Sequence, residues 1–427
     1  MKPRIVIFLF GFFSHSVFGQ DISQWFNEKK VTQIESTLAS DSMEGRKAGT
    51  RGIEKATEFI SSQFKSAGLQ TWDKSNSYQQ KFAFITIDRQ TKEGSMDGLP
   101  IKPQNLVVFS AKENLEINDQ SGYKSIQFKK GDNFRANAIK WTQSDENLIV
   151  WVDSSFAPLL ASLEAYSRNQ LQKDRNILFV LSNRIPDHFN FRIQQQITVK
   201  PLANVIGILP GKTKKNEYVI FSAHYDHLGI GTPNALHDSI FNGANDDASG
   251  TTAVIMLANY FAKRNDNART LIFVAFTAEE MGGYGSAYFS THFNPDSVIA
   301  MFNIEMIGTE SKWGSHSAYV TGYDKSDMPK ILEKNLQGTE FKFYPDPYAA
   351  ENLFYRSDNA TLAKLGVPAH TISTSKMDDE KFYQTVGDEV QTLNMTNMTE
   401  IIRAIALSAR SIVSGEDTPT RIEKIGQ

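Results

Sequence analysis

The chain has 427 residues, 40% hydrophobic and 22% charged, which suits one large α/β domain with a smaller companion and excludes a chain dominated by disorder. Its 45 basic and 48 acidic residues leave a formal net charge of −3, so no field gathers nucleic acid or anionic lipid, and neither is expected as a partner. Cysteine is absent, which removes disulfides and a lipid-modified cysteine anchor.

In chain order, Lys2 and Arg4 precede an apolar run over residues 5–13, and Val17-Phe18-Gly19 follows. This is the order of a secretory signal, predicted over residues 1–19 with cleavage near Gly19 or Gln20. The run is far shorter than the roughly 20 residues of a spanning helix, so no integral membrane segment is expected after cleavage. Export without disulfides points to a bacterial periplasm or exterior. Residues 20–81 read as a helical part of the main domain, with predicted helices over 22–42 and 53–67. The second is stopped by Gly68. The glycine-rich loop between them, residues 42–52, lacks the preceding strand and Gly-Lys-Ser/Thr ending of a phosphate cradle.

Residues 82–199 change texture, with short β-like runs at 106–110, 147–152 and 176–181 and one helix at 157–167. They are expected to form an inserted smaller α+β subdomain or, alternatively, to continue the main sheet. The core is assigned to residues 200–415 and a tail to 416–427. Within the core, strands are predicted at 204–209, 218–223, 270–277, 298–304, 318–321 and 369–373. Helices are predicted at 248–263, 285–292, 328–336 and 358–365. A last helix is expected to start at Asn397, with Glu400 completing a capping box. The expected fold class is α/β, a doubly wound mixed sheet flanked by helices.

Three of these strands end in metal-binding chemistry: His224-Tyr225-Asp226-His227, Ala278-Glu279-Glu280 and Glu305. Between the first two lies Asn242-Gly243-Ala244-Asn245-Asp246-Asp247-Ala248-Ser249-Gly250. Ligands of an open α/β sheet gather beyond the carboxyl ends of its strands, so these groups describe one site. Imidazole and carboxylates without thiol suit a hydrolytic zinc centre. Asp226 is placed to orient His224, Asp246 to bridge two cations, and one of the Glu279-Glu280 pair to act as a base. Tyr284, Phe354 and Tyr355 are candidates for a side-chain pocket. No Gly-x-Ser-x-Gly nucleophile elbow is present.

These runs, together with Gly285-Ser286 and Asn303-Ile304-Glu305-Met306-Ile307-Gly308, resemble the zinc aminopeptidases of clan MH, which also contains glutamate carboxypeptidases and glutaminyl cyclases. The likeness covers roughly residue 203 to the C-terminus, with a softer echo in residues 38–69. It implies a doubly wound core with a co-catalytic dizinc site, of which this chain is expected to hold one or two ions. By that resemblance the metal residues are His224, Asp246, Glu280, Glu305 and the position held by Gln384, with Glu279 as general base and Asp226 as the partner of His224. Two positions depart from the family pattern. Glu305 stands where Asp is usual, and Gln384 stands in Phe382-Tyr383-Gln384-Thr385 where the family has its last His. An amide is a poor zinc ligand beside imidazole, so the ion shared by Asp246 and Glu280 is expected to be weakened. His370 is the nearest alternative imidazole in sequence, and it reads as a packed core histidine. The expected activity is hydrolysis of N-terminal peptide bonds in peptide substrates. The alternatives are a catalytically impaired metal- or peptide-binding protein and, less favoured, a glutaminyl cyclase.

Overall fold

The structure, a computed structural model, describes residues 22–73 and 75–425. The predicted signal at residues 1–19 lies outside them. Helix α1 (Glu28–Leu38) is opened by Asn27, whose side chain accepts the backbone N–H of Lys29, and α2 (Arg51–Ser66) ends before Gly68. The first helix is shorter than residues 22–42 because Asn27 fixes the cap; residues Ser23–Trp25 form a separate 3₁₀ turn.

Eight strands in a continuous order and four flanking strands make a twelve-stranded central sheet. In chain order the strands needed here are β1 (Gln79–Met96), β2 (Leu106–Phe109), β3 (Lys124–Phe128), β4 (Leu148–Val152), β5 (Ile177–Leu181), β6 (Phe189–Leu209), β7 (Lys214–His224), β8 (Arg269–Phe276), β9 (Val298–Ile304), β10 (Ser317–Val320), β11 (Lys342–Pro345) and β12 (Ala369–Ser373). The central order is β11-β10-β12-β9-β7-β8-β6-β1. Strands β8, β7, β9 and β12 run parallel, while β6 is antiparallel to β8 and β1 to β6.

Apolar side chains on alternate positions of the parallel strands face opposite layers, as a sheet covered on both faces requires. Val219, Phe221 and Ala223 of β7 pack with α1, α2, α3 (Ser249–Arg264) and a C-terminal helix over Met395–Ser408. Ile220, with Ile272 and Val274 of β8, packs on the other face against Phe289 and Leu362. The C-terminal helix starts two residues earlier than predicted. Its cap is Asn394, whose side chain accepts the N–H of Asn397, and the Asn397 side chain instead accepts the N–H of His316.

The region predicted as an insertion divides into two parts. Strands β2, β5, β4 and β3 form a separate four-stranded sheet in that order. One of its faces is covered by Leu160 and Phe134 from local helices, and its other face packs through Trp151 and Ile149 onto Phe191 and Ile193 of β6. The flanking segments belong to the main sheet: β1 and β6 pair from Met96↔Phe189 to Gln79↔Val205 as one long antiparallel ribbon. The insertion therefore grows out of a continuous sheet edge. Among the described residues, no helix is long and apolar enough to cross a membrane.

Candidate metal and catalytic site

The site forms where β7, β8 and β9 end side by side. His224 lies opposite Phe276 in the β7–β8 register, and Ser222 lies opposite Asn303 in β7–β9, so His224, Glu279 and Glu305 emerge at one level. A single buried carboxylate, Asp247, joins these ends. It accepts the backbone N–H groups of Gly250 and Met306, each at 3.0 Å, and of His224 at 3.3 Å. Gly250 is required here, since a Cβ would come within 2.3 Å of Ile304 O and 2.5 Å of the Asp247 carboxylate.

Asp246 sits in a turn between Gly243 and α3, followed by a cis peptide bond to Asp247. Gly243 adopts φ +54° and leaves no room for a Cβ beside the His227 ring. The turn is held from outside by Asp388, which accepts the N–H of Asn245 at 2.8 Å and of Asp246 at 3.0 Å. The glycine-rich loop that carries no phosphate motif has a structural task at this point. Its Arg46 guanidinium is fully buried and donates to the carbonyls of Leu38, Tyr225, Asn242 and Gly243, while its own carbonyl accepts the N–H of His227.

The two oxygens of Asp246 face two different imidazoles. Oδ1 lies 3.2 Å from His224 Nε2, and Oδ2 lies 3.9 Å from His227 Nδ1. His227 Nδ1 is also 2.8 Å from Glu280 Oε1. His227, Asp246 and Glu280 thus present three donor atoms within one metal-sized space. Gln384 lies at the outer side of Glu280, its amide nitrogen donating to Glu280 Oε2 at 3.1 Å. Asp226 is buried behind the site. His224 Nδ1 is 3.1 Å from the Asp226 carbonyl and 3.9 Å from its carboxylate, which instead accepts the N–H of Glu279 at 3.1 Å. The ring is thus oriented by a backbone oxygen where sequence reading expected the carboxylate. His370 is engaged elsewhere, bonded to Thr321 O and Ser326 Oγ and pushed down to about 4 by burial.

Asp246, Glu279, Glu280, Glu305, Tyr383 and Gln384 line one cleft of about 290 Å³, whose wall also carries Arg356. Of the three aromatic pocket candidates, none lines it: Phe354 is buried against His370, and Tyr284 packs edge-on to Phe84. Asn359 is a buried fastener whose side-chain amide donates to Phe354 O and Ala369 O.

The electrostatics of the cleft call for added positive charge. Burial raises Asp226 and Glu305 to about 7 and Asp358 to about 6, against the pull of His224. Glu279 is raised well above the usual range by burial and then by Glu305, Asp358 and Asp226. Burial alone would lower His224, but Asp246, Glu279 and Asp247 outweigh it and raise the ring. His224 Nε2, His227 Nε2, Asp226 Oδ2 and Glu305 Oε2 are buried without a hydrogen-bond partner. Crowded buried carboxylates with unpaired ring nitrogens are costly unless cations join them. The imidazole and carboxylate donors fit zinc.

Residues 204–409 match peptidase family M28. A probable zinc metalloprotease of Pyricularia oryzae is 35% identical over 112 residues, which are 26% of this chain and 22% of that protein. The chain therefore spans less than a quarter of that relative's length. Among solved structures, an aminopeptidase from Aneurinibacillus sp. strain AM-1 superposes with a TM-score of 0.54 at 17% identity, covering 95% of this chain and 96% of the other. Porphyromonas gingivalis glutaminyl cyclase gives 0.50 at 12% identity, covering 91% and 99%. At these identities the structural likeness establishes the shared fold.

Proposed function

Because the chain belongs to peptidase family M28 through residues 204–409, whose zinc and peptide chemistry the cleft suits, we propose that it is an exported zinc-dependent aminopeptidase. The observation that carries this reading is the cleft in which Glu279 and Glu280 after β8, Glu305 after β9 and Asp246 from the turn after Gly243 lie together. His224, Asp246 and Glu305 are the residues that would hold one ion, and Asp246 with Glu280 would contribute to a second. Zinc, when bound, supplies Lewis acidity that polarises a carbonyl and acidifies a water.

The protein's own part is proton handling and positioning. Glu279 accepts the proton of the attacking water at its carboxylate and returns it to the leaving amine. Its backbone is fixed by the Asp226 carboxylate, so the base is aimed by a buried hydrogen bond rather than by a mobile loop. The acidic wall of Glu279, Glu280 and Glu305 complements the positive N-terminus of a peptide, which favours removal of N-terminal residues. The predicted signal supports export to a bacterial periplasm or exterior.

The test is chromatographic analysis of a panel of short peptides and aminoacyl amides incubated with the zinc-loaded protein, each in free and N-acetylated form. Release of the first residue from the free forms alone supports the aminopeptidase. Cyclisation of N-terminal glutamine would move the assignment to a glutaminyl cyclase. Peptide binding without turnover would make the chain a binding protein on this fold.

A further inference from the structure

From the geometry around Asp246 we infer that His227 is the imidazole ligand of a second metal ion, so that this site is complete without a histidine at position 384. The inference rests on the metallopeptidase reading and corrects the expectation of a weakened site.

Three observations carry it. The Asp246 carboxylate is shared, one oxygen toward His224 and the other toward His227, which is the arrangement of a bridging ligand with one imidazole on each side. His227 Nδ1 also meets Glu280 Oε1 at 2.8 Å, so one imidazole and two carboxylates converge. The His227 side chain has no exposure, and its Nε2 has no hydrogen-bond partner, so the ring's one polar contact at hydrogen-bond distance is the Glu280 carboxylate at Nδ1. Gln384, by contrast, reaches only the far oxygen of Glu280, and does so with its amide nitrogen, which cannot ligate a cation.

The backbone explains how His227 arrives there. Strand β7 ends at His224, and the next residues leave the extended path: the His227 N–H bonds to Arg46 O while Arg46 itself clasps Tyr225, Asn242 and Gly243. In a continued strand, residues three apart would point to opposite faces. The departure from the strand lets both imidazoles meet one carboxylate.

The test is zinc stoichiometry by elemental analysis after dialysis, with thermal melting as a check on folding, for wild type, His227→Asn, Gln384→Ala and the double variant His227→Asn with Gln384→His. Asn is chosen because its amide N–H replaces the Nδ1 position and preserves a hydrogen bond to Glu280. The expected result is two ions per chain in wild type and in Gln384→Ala, one in His227→Asn, and two again in the double variant. Two ions in His227→Asn, or one in Gln384→Ala, would overturn the ligand assignment while leaving the peptidase reading intact. A wild type that binds no zinc would overturn both. If His227→Asn melts before it can be assayed, two ions in wild type and the loss of one in Gln384→Ala still suffice to overturn the inference, and retention of both supports it.

Discussion

Asp388 holds Asp246 from outside the metal cluster: its carboxylate accepts the Asp246 backbone N–H at 3.0 Å and the neighbouring Asn245 N–H at 2.8 Å. The turn that aims the shared carboxylate is thereby anchored by a residue four positions beyond Gln384. Outer groups that orient a metal ligand typically contribute about 10- to 100-fold in affinity. Asp388→Ala is expected to weaken zinc binding by about that factor, measured by competition with a chelator of known affinity. Asp388→Asn, which keeps one acceptor oxygen, is expected to fall between the two. Unchanged affinity in Asp388→Ala would show that the turn holds its shape without this anchor.

Arg46 is the second support. Its buried guanidinium satisfies four backbone carbonyls, and its carbonyl receives the His227 N–H. Removing one member of a buried charged network costs about 3–5 kcal/mol. Arg46→Met is expected to lower denaturant stability by that order. Arg46→Lys should rescue little, because a point charge cannot serve four acceptors set in a planar fork. A fully stable Arg46→Met protein would contradict this account.

The stability of the fold should decline with rising pH through Glu35. This side chain is fully buried on α1 and accepts the Thr252 hydroxyl at 2.7 Å. Burial raises it from its ordinary 4.5 to about 8, outweighing the Thr252 bond and Arg46, with Asp388 adding repulsion. Because the folded value lies above the unfolded one, its stabilising protonation is complete below about 4.5 and is lost as pH rises through 8. Between these limits the slope approaches about 1.4 kcal/mol per pH unit. Melting profiles of Glu35→Gln against wild type from pH 5 to 8.5 are expected to show the flatter dependence in the variant. Parallel profiles would remove Glu35 as the cause.

Much of the site was legible because its residues stand immediately after apolar strands: β7, β8 and β9 deliver His224, Glu279 and Glu305 within a residue or two of the predicted ends. The place of His227 was not legible. A strand reading puts residues 224 and 227 on opposite faces, and only the tertiary clasp of Arg46 bends the chain back. Its partner Glu280 is 53 residues away in sequence, so no local spacing reveals the pair. The available signal was the second histidine itself, three residues after the first in a chain with eight. Continuation of the main sheet through residues 82–199 was one of two readings, but the long β1–β6 ribbon itself was not recognised, although Phe189, Phe191 and Ile193 alternate with polar residues. Polar stretches such as Gln194-Gln195-Gln196 and Arg89-Gln90-Thr91-Lys92-Glu93 read as turn or surface, and only pairing along the whole of both strands gives them order. The last helix was misplaced because Asn394 and Asn397 are both good caps, and His316 competes for Asn397.

The claim that Glu279 is the base of a peptide-hydrolysing cleft is tested most directly by kcat for a good aminoacyl amide in wild type and Glu279→Gln, with zinc content measured on the same samples. The amide keeps the shape of the side chain but cannot take a proton, so kcat is expected to fall about 10²- to 10⁴-fold with zinc content unchanged. A Glu279→Gln protein that holds its zinc and turns over at the wild-type rate would contradict the mechanism.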